Sequence, residues 1–378
     1  MGHWKDEKNP LGPPEEVATE TPVDAANLEA MEARLEAPVA IIREAPLNVE
    51  QAPFNADGTR TKDSTAAFEA AIAALPERGG EIFCPGAYKL SGKLNFDGKR
   101  TCRMTGVGGR GSGLDPASQL LFTQGSAEPF ISAKAAQGFS MEGIEIEYTN
   151  GAQTGAAIDL QETGEGSLTR VHVIGAGGIH SALGVNLNTA QVIGIHDCQF
   201  SGLDIALKGR KEAGAEHFSN VIQVDNTSFN GMGTASVYNI GLGWNFNTCA
   251  FEPLASGKAG AINADAGVIA EGTVLQSCFW GDANAEGTQI IWRGKGLSIL
   301  GGYLGSGALG VSVPDATSDG LVVMGVKFIS IADAIRANFG AGTQRYVIGA
   351  NFYEASVSGK KVSLDNGATD AGAGFLSH

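Results

Sequence analysis

The sequence predicts an all-β solenoid, a chain wound into stacked parallel rungs, on three observations. A nine-residue motif recurs at a spacing of 22 to 29 residues from about residue 139 onward. Glycine is abundant, 54 of 378 residues, and scattered without a period, which excludes collagen and suits frequent tight turns between short strands. A helix-then-strand module precedes the repeats.

The first fifty residues stand apart. Residues 1–20 are polar, read as extended, and include MGHWKDEKNPLGPPEE. TPVDAANLEAMEARLEAP (21–38) carries helix punctuation: Thr21 at the N-cap, Pro22 at the first helical position, Asp24 three past the cap, and Pro38 as the stop. The expected helix is 22–37. Leu28, Met31 and Leu35 make a narrow apolar seam flanked by charges, which fits pairing with partner chains better than docking on a broad core. Two heptads are too short to stand alone, and a helix lying on its own domain remains the alternative.

The stretch ETPVDAANLEAMEARL resembles a segment near the N-termini of bacteriophage tail fibre and tailspike proteins. The resemblance implies a tail-attachment and trimerisation segment over 1–50, and partners among other tail or baseplate proteins.

Residues 52–94 follow. Asp57-Gly58 is a turn pair, and Asp63 and Ser64 are candidate caps for a helix burying Phe68, Ala71, Ile72 and Leu75. Gly79-Gly80 is expected to end that helix, and Ile82, Phe83 and Cys84 read as a strand running to Pro85-Gly86 and Tyr88. The order of turn, D-x-T, helix, G-G and P-x-G-x-Y is similar to the opening module of the pectate-lyase-like superfamily, although FNADG lacks its usual glycine-rich approach. The resemblance implies a right-handed, single-stranded parallel β-helix over 51–378, with 51–94 capping its open end, in a homotrimer.

The repeats are plainest in VIGIHDCQF (192–200), VIQVDNTSF (221–229), GWNFNTCAF (243–251) and GTVLQSCFW (272–280). Each has an apolar run, two polar residues, a Cys or Thr, one residue, then an aromatic. Repeats that cannot bury a face alone must stack. Cys198, Thr227, Cys249 and Cys278 then form one inward file, and Phe200, Phe229, Phe251 and Trp280 a second. The polar pairs fall where the coil bends, because Asn and Asp tolerate left-handed backbone. On this reading His196-Asp197 is chiefly a corner. LSILGGYL, LVVMGVKF and RYVIGANFY are later copies whose polar pairs shrink to glycine-containing ones.

Charge and composition narrow the function. The net charge of −15 and the lack of a basic run disfavour duplex nucleic acid and anionic membranes as partners. No stretch approaches the roughly 18 apolar residues of a membrane span. The start shows no apolar secretory region, so the expectation is a protein made in a host cytoplasm and carried in the virion tail. The chain stops at GAGFLSH, which leaves the β-helix as the expected receptor-facing part. Five scattered cysteines with no CxxC pair read as buried thiols, with no metal site and no cofactor.

Tailspikes of this family bind host-surface polysaccharide and many cleave it, so the resemblance implies glycan as the partner. Glycoside hydrolysis needs two carboxylates, roughly 5 Å apart for retention or 6.5–9.5 Å for inversion. Positions just after the aromatic file offer Asp204, Glu252 and Asp282, with Glu252 and Asp282 on neighbouring rungs as the first choice. Asp225 beside His196 is the second, an acid and an imidazole suited to proton transfer. Solvated loop acids are the plain alternative for all of these.

Trp292 and Arg293 lie outside the regular alignment and form a candidate sugar platform, with core packing the alternative for the ring. The insertion KGRKEAGAEHFSN (208–220) gathers Lys208, Arg210, Lys211 and His217, a candidate for recognition or for a subunit contact. No dense aspartate cluster matches the calcium site of the pectate lyases, so hydrolysis fits better than lyase chemistry. Whether the chain is an enzyme stays open. A non-enzymatic adhesin or minor tail protein is the second reading, and a bacterial polysaccharide lyase or epimerase the third.

Overall fold

A coil of stacked rungs asks three things of its sequence. Alternate residues of each strand must be apolar, each bend needs a residue that accepts left-handed backbone, and the first rung needs a cover. The computed structural model describes residues 45–108, 118–175, 181–209, 219–238, 240–252, 262–263, 270–281, 287–315, 318–338 and 346–365. The helix expected at 22–37 lies outside the described residues. By its internal contacts the chain divides into Met1–Ala45 and Pro46–His378, and the second unit is a parallel β-solenoid.

The cover is the helix Thr65–Ala74, here α1. Its alanine-rich sequence favours helix, and Asp63 accepts a bond from the Thr65 amide at 3.1 Å, taking one of the donors left open at the start. Phe68, Ala71 and Ile72 are buried, with the Phe68 ring edge-on to Tyr88 at 5.0 Å. The helix ends before Gly79-Gly80, contrary to the sequence expectation. Leu75 is already extended (φ −60°, ψ 134°), because the residue before Pro76 is pushed out of the helical region. Ahead of it, the Asp57 carboxylate collects Thr59 N at 3.1 Å and Lys62 N at 2.6 Å. Gly58 sits against Glu50, where a Cβ would fall 2.0 Å from Oε1, so any side chain there would displace the Glu50 carboxylate from Tyr88.

Each rung supplies strands to three faces, as Gln191–His196, Gln199–Ser201 and Ile205–Lys208 do in one turn. The first face is a sheet of twelve parallel strands. The second and third stay separate until the strands Tyr303–Val313 and Lys327–Asn338, which run through both. In these the bend survives as Ser306 (φ 44°) and Ser330 (φ 52°).

Register makes the interior a set of files. One runs Tyr88, Leu120, Ile146, Val173, Phe200, Phe229, Phe251, Trp280, Leu304, Phe328, Tyr353. Within it Phe200, Phe229, Phe251 and Trp280 stack at 5.6, 4.9 and 4.9 Å, each pair within 12° of parallel. Such stacks contribute about 0.5–1.5 kcal/mol per pair beyond the area buried. The third face contributes an unbroken aliphatic file of Ile131, Ile158, Val185, Leu207, Val237, Ile262, Ile290, Val311 and Ile335.

Cys198, Thr227, Cys249 and Cys278 form the expected inward file, at most 3% exposed. Their carbonyls accept from Ser228, Ala250, Phe279 and Tyr303 on successive rungs, at 2.8–3.0 Å. Each side chain also turns back on its own bend: Thr227 Oγ1 donates to Asp225 O at 2.9 Å, and the thiols of Cys198, Cys249 and Cys278 reach the carbonyls of His196, Asn247 and Gln276. Those carbonyls also accept the amides of Arg170, Asp197, Asn226 and Thr248 from the preceding rung at 2.9–3.1 Å, so the side chain fills the second lone pair of each. The bends are left-handed at Asp197, Asn226, Thr248 and Ser277, with φ of 54°, 48°, 55° and 51°. Gly301, Gly325 and Ala350 continue them, as the blurred repeats implied.

Rungs precede the readable repeats within the 51–378 expected of the coil. Gly80–Cys84 and Cys102–Gly106 are already paired rungs of the first face.

Candidate functional site

Side chains that alternate inward and outward leave polar and aromatic columns on the outer faces, and chemistry has to be sought there. On the first face one outer column runs Thr105, Glu142, Thr169, His196, Asp225, Asn247, Gln276, Leu300, Met324. Glu142 is bridged by Arg103 and Arg170.

His196 and Asp225 are brought together. Nδ1 lies 3.0 Å from Asp225 Oδ2, and Gln223 Nε2 donates to Oδ1 at 2.7 Å. The imidazole lies over Gly194, where a Cβ would come within 2.4 Å of Nε2, so only glycine permits this pose. With an ionised Asp225 the proton belongs on Nδ1, and Nε2 is left as the acceptor. The same stretch is also a corner: Asp197 is left-handed, its amide donates to Asp225 O at 3.1 Å, and its carboxylate takes Asn226 Nδ2 at 2.6 Å.

Glu252 follows the aromatic file, its amide held by Phe229 O at 2.8 Å. Its carboxylate reaches over Gly281 on the next rung, with Oε2 2.9 Å from where a Cβ would be. Asp282, the partner expected for it, lies outside the described residues, as do Arg210, Lys211 and His217. Asp204 braces the following rung instead: its Oδ1 accepts from Thr234 Oγ1 at 2.6 Å and its carbonyl from Thr234 N at 2.8 Å. Lys208 ends a third-face strand, in register with Asn186 and Tyr238.

Trp292 is not a surface platform. It is 1% exposed, and its ring fills the space above Gly294, where a Cβ would lie 2.9 Å from Cζ2. Its place just before the turn into Gly294–Leu300 points it to the core, and Arg293 beside it is half-buried. Trp244 and Trp280 are equally buried.

Two groupings went unforeseen. Gln119 Nε2 donates to Glu145 Oε1 at 2.6 Å and to Glu147 Oε2 at 2.8 Å, gathering two carboxylates around one nitrogen, with Glu145 only 1% exposed. On the second face Phe279 and Tyr303 stand outward on adjacent rungs, centroids 4.9 Å apart and 8° from parallel. Alternation could have found them: each lies one residue before an inward residue of the aromatic file, at the register that holds Gln199, Ser228 and Ala250 earlier. Among the described residues no three His, Cys, Asp or Glu side chains converge as a metal site needs, and no helix is long and apolar enough to cross a membrane.

The parallel solenoid is a fold that solved structures of phage tailspikes and of a bacterial surface adhesin share with this chain. A tailspike point mutant from Escherichia coli bacteriophage HK620, solved with a pentasaccharide, gives a TM-score of 0.54 at 12% identity, covering 93% of this chain and 71% of that one. ORF18 of Geobacillus virus E2 gives 0.51 at 13% identity, over 92% of this chain and 64% of that one. PfbA, a surface adhesin of Streptococcus pneumoniae, gives 0.53 at 11% identity, over 85% of this chain and 100% of that one. At such identities the likeness concerns the fold. No protein-family model matches the chain, and no curated protein matches its sequence.

Proposed function

We propose that this chain is the receptor-binding protein of a phage tail, a tailspike that binds bacterial surface polysaccharide on its outer columns and cleaves it by glycoside hydrolysis. The observation that carries the reading is the likeness, over nearly the whole chain, to a tailspike solved with an oligosaccharide. The N-terminal resemblance to tail proteins supports it independently, with 1–50 as the attachment segment. Glu252 and Asp282, which follow the aromatic file at successive repeats of the sequence, are the catalytic pair of this reading, acid and base or nucleophile on the two sides of a glycosidic bond.

Homotrimerisation belongs to the same proposal. The outer column of the first face turns from polar to apolar at Leu300 (37% exposed) and Met324 (42%), with Val347 (52%) nearby, a surface suited to another copy.

The test is an array of purified bacterial O-antigen and capsular polysaccharides, followed by reducing-end release on any that bind. The reading expects selective binding to one or a few glycans and release of oligosaccharides, with release falling at least about 10³-fold in Glu252→Gln while binding persists. Binding without release would make the chain an adhesin. No binding at all would overturn the reading.

A further inference from the structure

The stacked pair Phe279 and Tyr303 is an oddity on an outer face. An aromatic ring pointing to water forgoes the burial that its neighbours in the inner file enjoy, and Phe279 is 42% exposed. Both rings are also arranged. Each leans along its own strand over a glycine two residues on: Phe279 Cε1 lies 3.3 Å from a would-be Cβ of Gly281, and the Tyr303 ring and hydroxyl lie 2.5 Å from that of Gly305. A side chain at Gly305 would displace the Tyr303 ring, and one at Gly281 would crowd the Phe279 edge by a few tenths of an ångström.

Adjacent rungs are about 4.8 Å apart. Parallel rings with centroids 4.9 Å apart across that gap cannot be coplanar, so each turns one face toward the other's rung. Tyr303 covers one face of Phe279. The other looks toward the preceding rung, where the residue in register is Ala250 and presents only a methyl group. The Glu252 carboxylate, two residues beyond Ala250, reaches the same point above Gly281 as the Phe279 ring, its Oε2 at 2.9 Å. A flat aromatic face, a low floor and a carboxylate at the rim therefore meet in one place.

We propose that the open face of Phe279, backed by Tyr303 and rimmed by Glu252, is a subsite for one uncharged hexopyranose residue of a polysaccharide. The inference rests on the proposed function and names a place for it. A pyranose ring offers an apolar face of C–H bonds to the electron-rich ring face, and hydroxyl donors at its edge to the carboxylate. The carboxylate and the net charge of −15 argue against a uronic acid there. Gly281 lets ring and carboxylate share one place, since a methyl there would displace the carboxylate end and crowd the ring edge.

The experiment uses the full chain on the same polysaccharide array, with Phe279→Ala/Tyr303→Ala and Gly281→Ala beside the wild type. Melting curves and light-scattering mass check fold and assembly. The double variant should stay folded, melting within about 5 °C of the wild type, keep the wild-type mass and lose roughly tenfold or more in affinity, the size expected of an aromatic anchor. Gly281→Ala should lose affinity several-fold with both rings still present. If the wild type binds and the double variant binds equally well, the subsite is wrong while the tailspike reading stands. If the double variant alters the mass, the rings serve a subunit contact and the inference is overturned. If the wild type binds nothing, the function itself has failed.

Discussion

Asp63 shows how much of the cap hangs on one carboxylate. It accepts from Thr65 N at 3.1 Å, Thr65 Oγ1 at 2.7 Å and Ser91 N at 3.1 Å, and the Ser91 hydroxyl also bonds it, tying α1 to the next rung. Burial would raise its pKa, but the bonds from Ser91 and Thr65 outweigh that and hold it at about 2. The unfolded value is about 3.9, so the stabilisation is complete above that pH and fades as pH falls toward 2. Asp63→Asn should therefore melt below the wild type at pH 7, and the gap should narrow as pH falls through 4 to 2. A gap that stays constant across that range would refute the role. The buried thiols sit at the other extreme, with burial pushing Cys198 up to about 12. IHDCQF thus packs three roles into adjacent residues: His196 outward beside an acid, Asp197 at the bend, Cys198 in the core.

At the scale of the element the bend is the most constrained feature. Left-handed backbone costs an L-residue roughly 1–2 kcal/mol, and Thr, branched at Cβ, is poorly suited to it. Thr248 occupies that conformation at φ 55°, with its side chain exposed and its amide donating to Gln276 O at 2.9 Å. Thr248→Gly keeps the amide and removes the clash, and should raise stability by about 0.5–1 kcal/mol in denaturant unfolding. A loss of stability would contradict the account.

These bends and the two files beside them were legible in the sequence because polar pair, Cys or Thr, and aromatic recur together. The aliphatic file of the third face was not: Leu, Ile and Val carry no distinguishing mark, and the loops before them vary in length. The early rungs show no readable repeat for the same reason, with Leu120, Ile146 and Val173 standing where later rungs carry rings. Of the site, the His196–Asp225 contact followed from register alone. Trp292 was misjudged because its rung offset could not be read, and Phe279 was overlooked beside the inward Trp280.

For the whole molecule, every placement depends on rungs stacked in one direction. Thr169 and Leu300 are far apart in sequence, yet they belong to one outer column, linked by His196, Asp225, Asn247 and Gln276. Five rungs at about 4.8 Å put them about 24 Å apart. The native cysteines are buried, so spin labels at Thr169→Cys and Leu300→Cys would react selectively. Diluted with unlabelled chain, the doubly labelled protein should give a single narrow distance distribution by double electron–electron resonance, centred within a label's length of 24 Å. A broad distribution, or a peak far from that value, would contradict the stacked coil and the glycan subsite built on it.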